Sequence, residues 1–331
     1  MAEITYKEAI RDALDEELAR DENVFLLGED IGLFGNVFGV LKGLHEKYGD
    51  KRVMDTPISE SVIIGSALGS AITGLRPVAE IMFVDFVCVC MDQIVNQIAK
   101  LRYMLGGQVE VPLVIRTQGG CLKSFAAQHS QSLEAFFMHV PGIKVIMPAT
   151  PADAKGLLKS AIRDSNPVMF IEHKSLYNTK GHVPDGDYTI PIGKANIVRE
   201  GTNVTLVSYS RQVLNCLDAA ESLSKEGIEA EVIDLRSLTP LDTETILNSV
   251  SKTNRVVIVE EDCKTAGVGA EIAAMISNEG FEFLKAPVKR VAALDTPLPC
   301  ADSLENVIIP SVMEITRHVK KICEIPLVSY E

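Results

Sequence analysis

The sequence predicts an α/β protein in which a doubly wound parallel-sheet domain is followed by a second, smaller α/β domain. Short apolar runs, among them VFLLGE (24–29), PVAEIM (77–82) and PLVIRT (112–117), alternate with helical stretches. These runs are continuously apolar, as parallel strands covered on both faces by helices should be. The chain also has 331 residues, more than one core usually holds, which favours two domains.

The helices of the first half follow from caps and apolar spacing. Thr5 and Glu8 fit a capping box, and apolar residues recur at helical spacing over residues 5–20. Three more helices are predicted, at about 60–73, 88–105 and 151–164. The helices at 60–73 and 88–105 are apolar on every side and should therefore be buried.

The second half repeats the alternation after a break. From Lys174 to about Gly201 turn residues replace the periodic pattern, which indicates an interdomain connection. We expect the first domain at residues 1–185 and the second at 186–331. Strands are predicted in the second domain within NVTLVSY (203–209), AEVIDL (230–235), RVVIVEE (255–261) and VKRVAAL (288–294).

Composition excludes several classes of protein. A formal net charge of −13 argues against binding nucleic acid, because that affinity depends on Lys and Arg neutralising phosphates. The seven cysteines are scattered without a CxxC pair, which favours reduced thiols over a disulfide framework or a zinc site. Because no signal pattern and no run of 18 apolar residues occurs, we expect a cytoplasmic protein without a membrane segment. A mean hydropathy of +0.16 suggests buried subunit surface.

Glu60 is the first candidate for chemistry. It begins the otherwise uncharged helix 60–73. One interpretation is an ordinary first-turn acid stabilised by the helix dipole. The other is a carboxylate at the mouth of a dry helix that shares a proton with a ligand. The spacing alone leaves both open.

His129 is the second candidate, in a polar loop before an aromatic-rich helix. Histidine transfers protons near neutral pH, but a surface or interface histidine would give the same pattern. Cys121, eight residues upstream, allows a Cys-His nucleophile, although the motifs usual around catalytic cysteines are missing.

Other patterns argue against familiar sites. No phosphate loop, nucleophile elbow or HExxH helix occurs, and VFLLGEDIGLFG lacks the glycine spacing of a lone nicotinamide dehydrogenase. GVGAEI (267–272) looks like a truncated glycine fingerprint, which we attribute to helix packing instead of diphosphate binding. Cys88 and Cys90 lie in an apolar stretch and are expected in the core.

Several long blocks in the correct order resemble beta subunits of 2-oxo acid dehydrogenase complexes. They include DTPISE (55–60), RPVAEIMFVDF (76–86), AAQHSQSLEAFFMHVPGIKVIMP (126–148) and DAKGLLKSAIRDSNPVMFIEHK (153–174). The second domain, with SYSRQV and VIDLRSLTPLD, looks like the carboxy-terminal domain of transketolase-type proteins. The resemblance implies a thiamine-diphosphate pyrimidine-binding domain followed by a transketolase C-terminal-like domain.

The resemblance also implies roles for particular residues. Glu60 would face the pyrimidine nitrogen of thiamine diphosphate and share its proton, with Ile58, Met82 and Phe86 beside the ring. The alternative for these three is ordinary core. His129 would lie at the substrate end of the pocket, where it stabilises charge and guides the lipoyl group.

Two further roles come from the resemblance alone. Glu29, in GEDIG, would belong to a buried polar path joining two active sites. The stretch SAIRDSNP resembles a potassium loop. Its ligands would be the backbone carbonyls of Leu113, Ala161, Ile162, Asp164 and Asn166. The same loop could merely end a helix.

A missing motif implies a partner chain. Self-contained enzymes of this kind hold magnesium and the diphosphate with a GDG motif, whereas the nearest match here is Asp185-Gly186-Asp187. The resemblance therefore implies an alpha subunit that binds magnesium, in a heterotetramer of two alpha and two beta chains. It also implies a lipoyl-bearing acyltransferase as the acceptor of the acyl group.

The substrate ranking rests on two departures from the pyruvate members. RTQGG (116–120) replaces an RGPNG-like stretch, and Val89 stands where many have glutamine. This puts acetoin first, then pyruvate, then branched-chain 2-oxo acids. A hypothesis of a different class is a non-catalytic module that docks the acyltransferase.

Overall fold

The computed structural model describes residues 2–122 and 124–324, which divide into two compact units. The first contains the described residues up to Gly120 together with Phe136–Ile192, and the second contains Cys121–Ala135 and the described residues from Gly193 onward. The sequence put the boundary at 185/186 and all of 121–135 in the first domain. Turn residues show where regular structure lapses, but not which core a connecting segment packs against.

The first unit is built on six strands that are hydrogen-bonded in parallel. The strands of this half of the chain are β1 (Ala2–Thr5), β2 (Val24–Gly28), β3 (Val53–Asp55), β4 (Arg76–Ile81), β5 (Val114–Gly119), β6 (Lys144–Ile146), β7 (Val168–His173) and β8 (Lys180–Val183). The sheet order is β6-β7-β5-β4-β2-β3, and β1 pairs separately with β8 in the antiparallel sense. The doubly wound parallel sheet is thus confirmed.

Helices cover this sheet. They are α1 (Tyr6–Arg20), α2 (Leu44–Tyr48), α3 (Glu60–Ile72), α4 (Ala99–Met104), α5 (Glu134–Met138) and α6 (Pro151–Arg163). The capping box at the start of α1 is formed, since Thr5 accepts from the backbone of Glu8 and the Glu8 side chain accepts from the backbone of Thr5. The one-turn helix Lys174–Leu176 lies within the predicted connection.

The predicted helix at 88–105 is broken into three kinds of turn. A 3-10 stretch covers Val84–Cys90, a π-helix covers Gln93–Ile98, and α4 completes it. Such changes of winding are common at functional sites. The prediction that both apolar helices are buried is wrong for the single chain, because Val62 in α3 and Tyr103 in α4 are exposed. Cys90 lies in the core as expected, whereas Cys88 is exposed, so the expectation for Cys88 is wrong.

The second unit has its own sheet, in the order β14-β13-β10-β11-β9. The strands in this part of the chain are β9 (Asn196–Arg199), β10 (Val204–Ser208), β11 (Ala230–Asp234), β12 (Ser237–Thr239), β13 (Val256–Cys263) and β14 (Lys289–Ala293), of which β12 does not belong to this sheet. Its helices are α7 (Arg211–Ser224), α8 (Thr243–Thr253), α9 (Val268–Glu279), α10 (Asp302–Ile308) and α11 (Val312–Cys323), with a 3-10 turn at Phe281–Phe283. Only the pairing of β9 with β11 is antiparallel within this sheet, and apolar residues of β10, β11, β13, α7 and α11 form one buried cluster. Among the described residues, no helix has the length and apolar character needed to cross a lipid bilayer.

Candidate active site

The predicted cofactor residues follow the carboxyl ends of three neighbouring strands in the sequence. Gly28 of β2 is in register with Asp55 of β3 and with Glu80 of β4, so the three strands end together. In the sheet, β3 lies on one side of β2, and β4, the next strand along the chain, lies on the other side. In doubly wound sheets, ligands bind in the crevice formed by such a reversal of strand order. The crevice between β2 and β4 is therefore the expected binding position in this unit.

Two carboxylates meet at this edge. Glu60 is the first residue of α3 and is half-buried, and Glu29 follows β2 directly. Burial raises the pKa of Glu29, and the charges of Asp30 and Glu60 raise it further. The charge of Glu60 therefore reaches Glu29 at this edge. Burial, together with the charge of Glu60, also raises the pKa of the Cys90 thiol to about 12.

The three predicted apolar cofactor residues follow β3 and β4 in the sequence. Ile58, just before α3, is 75% exposed, so in this chain alone it is not core. Met82 follows β4 and is half-buried, as is Phe86, whose ring packs edge-on against Phe83 with 5.6 Å between centroids. The exposed position of Ile58 leaves an apolar surface open to a ligand or to another chain.

A buried ionic network lies behind this edge and was missed from the sequence. Arg116 of β5 makes ion pairs with Glu80 of β4 and with Glu172 of β7, and all three side chains are at least 96% buried. Tyr177 Oη donates to Glu172 Oε2 at 2.8 Å. Burial raises the pKa of Glu172 while the Arg116 charge opposes that rise. The sequence signal was three charged residues inside apolar strand runs, since such charges are buried only when paired.

The network fixes the loop that begins at Glu29. Asn36 Nδ2 donates to Glu80 Oε1 at 2.8 Å, and the side-chain oxygen Asn36 Oδ1 accepts the backbone N–H groups of Phe38 and Val40. Asp55 Oδ1 accepts the backbone N–H of Gly32 at 2.6 Å. The loop is therefore tied to β3 and to β4, which limits the positions open to Glu29.

The RTQGG stretch contributes to the same network. Gln118 is fully buried, and its Nε2 donates to Glu80 Oε1 at 3.3 Å. Gly120 has φ of +75°, and a β-carbon there would collide with the ring of His173. The positions at which RTQGG differs from the pyruvate members, 117–119, are thus buried within the unit, whereas Val89 is 59% exposed.

His129 lies in the second unit, in the segment Cys121–Ala135. It is half-buried, and its backbone N–H donates to Ala126 O at 3.5 Å. The backbone N–H of Cys121 donates to Glu261 Oε1 at 2.6 Å. A turn thus places His129 within a segment anchored to its own unit.

Four of the five carbonyls of the predicted potassium loop already accept hydrogen bonds. Arg76 Nη1 donates to Ile162 O at 3.0 Å and to Asp164 O at 3.1 Å. Leu113 O accepts from Val168 N, and Ala161 O accepts from Asp164 N. Asn166 donates to the Asp164 carboxylate from its backbone and its side chain. Each carbonyl keeps a second lone pair, so a cation would share these oxygens with their present donors.

The Asp185-Gly186-Asp187 stretch has a structural use for one of its acids. Asp187 pairs with Lys159 at 2.5 Å and with Arg163 at 2.8 Å, and these two partners lower its pKa to about 2. Asp187 therefore ties the chain after β8 to α6.

Comparisons with known proteins agree with this architecture. The transketolase pyrimidine-binding domain model matches residues 2–180, and the transketolase C-terminal domain model matches residues 193–315. A solved structure described as a split gene transketolase, inactive beta4 tetramer, superposes with a TM-score of 0.80 at 24% identity, covering 97% of this chain and 99% of that one. That likeness supports the fold.

Two relatives are similar over nearly their whole length. The chain is 48% identical over 328 residues to acetoin:2,6-dichlorophenolindophenol oxidoreductase subunit beta of Cupriavidus necator, covering 96% of this chain and 97% of that protein. It is 49% identical over 324 residues to the mitochondrial pyruvate dehydrogenase E1 component subunit beta of Bos taurus, covering 96% and 90%. The family and fold expected from the sequence are confirmed. The chain belongs to the family of acetoin and pyruvate dehydrogenase beta subunits, in which a transketolase pyrimidine-binding domain precedes a transketolase C-terminal domain.

Proposed function

We propose that this chain is the beta subunit of a thiamine-diphosphate-dependent acetoin dehydrogenase component in the cytoplasm. With an alpha subunit it cleaves acetoin and transfers the acyl group to the lipoyl group of a partner acyltransferase. The observation that carries the proposal is that Glu29, at the carboxyl end of β2, feels the charge of Glu60 at the start of α3, beside exposed apolar residues.

The residues at this edge fit the aminopyrimidine half of thiamine diphosphate. When bound, that cofactor supplies a carbanion that attacks the substrate carbonyl. Glu60 would hold a proton at the pyrimidine nitrogen. Ile58, Met82 and Phe86 would orient the ring and exclude water. His129 would stabilise negative charge at the substrate end and guide the lipoyl group.

An alpha subunit would complete the site. It would hold magnesium and the diphosphate, in a heterotetramer of two alpha and two beta chains. Three apolar residues near Glu60 are each more than half exposed in this chain: Ile58, Val62 and Val89. Ile58 and Val62 are two residues from Glu60 in the sequence, and Val89 is hydrogen-bonded to α3. The link is the Ser61 hydroxyl, which donates to Val89 O at 2.9 Å. Burial of this apolar surface by a partner would stabilise the assembly.

Acetoin is the first substrate, as the RTQGG stretch and Val89 suggest. The second candidate is pyruvate, which is compatible with the 49% identity to the Bos taurus protein, close to the 48% identity to the acetoin relative. Branched-chain 2-oxo acids come third. The three can be separated by co-expressing the chain with its alpha subunit and measuring thiamine-diphosphate-dependent reduction of dichlorophenolindophenol. Acetoin, pyruvate and 3-methyl-2-oxobutanoate would be assayed in parallel.

The assay has a distinct result for each candidate. Highest kcat/KM for acetoin supports the ranking, whereas preference for a 2-oxo acid replaces the substrate and keeps the family chemistry. If the assembled complex is inactive with all three substrates, the proposed reaction is wrong.

The role of Glu60 is tested by Glu60→Gln, which keeps size but cannot share a proton as a carboxyl does. We expect loss of activity by a factor of about 100 or more, with unchanged co-purification of the alpha subunit. The matched control is Glu244→Gln, another first-turn acid, at the exposed start of α8. If Glu60 serves only the helix dipole, both variants will lose little. A non-catalytic docking module would give the same result.

We also propose potassium at the carbonyls of Leu113, Ala161, Ile162, Asp164 and Asn166. Bound potassium would raise the unfolding temperature of the complex, because a ligand that binds the native state alone stabilises it. The comparison is potassium chloride against choline chloride at equal ionic strength. Equal midpoints in the two salts would argue against an occupied site.

A further inference from the structure

The segment that carries His129 is held at its start by two carboxylates of the second unit. Glu261, in β13, accepts the backbone N–H of Cys121 at 2.6 Å. Glu305, in α10, accepts the backbone N–H of Ser124 at 3.1 Å. Hydrogen bonds to a charged acceptor are stronger than neutral ones, so these two contacts fix the backbone direction.

The backbone next to these contacts is strained. Ser124 has φ of 66° and Ala126 has φ of 57°, in the left-handed region that favours glycine. Such residues persist only where the surroundings hold them. Ala126 is three residues before His129, and its carbonyl accepts the His129 N–H. The anchored, strained turn therefore fixes the backbone position of His129.

The far end of the segment is held by a buried contact. Tyr209, just after β10, donates through its hydroxyl to Glu134 Oε1 at 3.0 Å. Both side chains are at least 97% buried. Burial raises the pKa of Glu134 well above its usual value, and the charge of Asp262 adds to the rise. His129 thus lies between two sets of anchors.

Glu261 lies near the carboxyl end of β13 and Tyr209 directly follows β10, whereas Glu305 lies in α10. The strand β10 is the first of its sheet's parallel strands, with β11 on one side and β13 on the other. Such a crevice usually binds a ligand in an α/β domain. In this unit the segment Cys121–Ala135 contacts residues at this crevice, beside a cavity of about 480 Å³. Ala127, Gln131, Ser132 and Leu133 line one part of that cavity, so the middle of the segment has space behind it and depends on its ends.

We propose that Glu261, Glu305 and Tyr209 are positioning residues that act through the backbone of Cys121–Ala135 to orient His129 for the reaction. The inference rests on the proposed function, because that function gives His129 its role. It assigns part of the catalytic geometry to the second unit's carboxylates, which themselves need not touch the substrate.

The test uses the complex co-expressed with its alpha subunit. Glu305→Ala removes the acceptor for Ser124, whereas Glu305→Gln keeps an oxygen in the same place. We expect kcat to fall about tenfold or more in Glu305→Ala with KM changed less, because misplacing a reacting group mainly costs rate. Glu305→Gln should restore kcat to within about threefold of wild type. The control is Glu226→Ala, an exposed acid of the same unit that accepts from Lys320 at 2.5 Å.

A second readout needs no turnover. Modification of His129 by diethyl pyrocarbonate, followed by peptide mass mapping, should change in rate by about threefold or more in Glu305→Ala. It should stay at the wild-type rate in Glu305→Gln and Glu226→Ala. In a His129→Ala background, Glu305→Ala should cause no further loss of activity, since residues acting as one unit are not additive.

The outcomes separate this inference from the proposed function. If Glu305→Ala and Glu261→Ala match wild type in both kcat and His129 modification, the positioning role is wrong. If the wild-type complex has no activity, the proposed function fails, and the modification rates still test the positioning. If the alanine variants do not fold, Tyr209→Phe replaces them, since it removes only the hydroxyl that reaches Glu134. A wild-type modification rate in Tyr209→Phe would then overturn the inference.

Discussion

Glu260 Oε2 accepts a hydrogen bond of 2.6 Å from the backbone N–H of Gly269, in the first turn of α9. Its other oxygen accepts from Arg290 Nη2 at 2.5 Å. A buried carboxylate therefore occupies the helix N-terminus, the position where dinucleotide-binding proteins hold a phosphate. This accounts for the glycines of GVGAEI without a diphosphate, because a β-carbon at Gly269 would lie 2.5 Å from Glu260 Oε1.

Gly269→Ala is expected to destabilise the chain by about 1–3 kcal/mol, since the added methyl group must displace the buried carboxylate. The control is Gly69→Ala in α3, where a β-carbon would meet nothing within 4 Å. Alanine there should be neutral or stabilise by up to about 1 kcal/mol. Urea unfolding of the purified chain measures both changes. Equal free energies of unfolding for the two variants would contradict the close approach.

Arg116→Met is expected to cost about 3–5 kcal/mol in the free energy of unfolding, because it leaves Glu80 and Glu172 buried without their cation. Arg317→Met is the control. Arg317 is 71% exposed and lies 3.7 Å from Glu314, so its removal should change stability by less than about 1 kcal/mol. A small effect for Arg116→Met in urea unfolding would mean that the buried acids are neutral or reach water.

Asp262→Asn should change how stability depends on pH. Burial raises the pKa of Asp262 to about 7. Between about pH 4 and pH 7 the folded wild type therefore binds more protons than the unfolded chain, and its stability falls as pH rises. The variant lacks this contribution, so it should gain on wild type by up to about 1.4 kcal/mol per pH unit in that window. Above pH 7 the difference should be constant.

The control for this pH dependence is Asp295→Asn. Hydrogen bonds from Thr265 lower the pKa of Asp295, so its contribution has the opposite sign and is lost as pH falls. That loss occurs below about pH 5, so urea midpoints at pH 5, 6, 7 and 8 should run parallel for Asp295→Asn and wild type, whereas Asp262→Asn should gain on both as pH rises. Parallel curves for wild type and Asp262→Asn would disprove the assigned titration.

Cysteine labelling tests the surface beside Glu60. Cys88 is exposed, whereas Cys90 is buried and burial raises its thiol pKa to about 12. In the free chain, iodoacetamide should label Cys88 and leave Cys90 until the chain unfolds. Addition of the alpha subunit should slow labelling of Cys88 but not of Cys300, an exposed cysteine of the second unit. Unchanged labelling of Cys88 in the complex would place the proposed interface elsewhere.

Much of the fold could be predicted because its signals are local. The capping box of Thr5 and Glu8 and the apolar strand runs each fix an element from a few neighbouring residues. The helix at 88–105 could not be resolved this way. Apolar composition predicts burial but does not distinguish 3-10, α and π winding, which depends on packing against α3.

The candidate site was only partly accessible from the sequence. Glu60 is conspicuous because it is the one charge in its helix. Arg116, Glu80 and Glu172 come from three strands far apart in sequence, so only the sheet order brings them together. The anchors of the His129 segment are likewise long-range contacts, from Cys121 to Glu261 and from Ser124 to Glu305. Spacing along the chain carries no information on such pairs.

The chain leaves the first unit at Gly120, returns to it at Phe136 and leaves again after Ile192. Exchange of domains between relatives therefore needs more than a junction at 192/193. A chimera joined there alone would combine the segment Cys121–Ala135 of one parent with the Glu261, Glu305 and Tyr209 of another. A chimera that preserves the contacts of the His129 segment must take Cys121–Ala135 and the carboxy-terminal unit from the same parent. The coding sequence to be exchanged is therefore in two separate pieces.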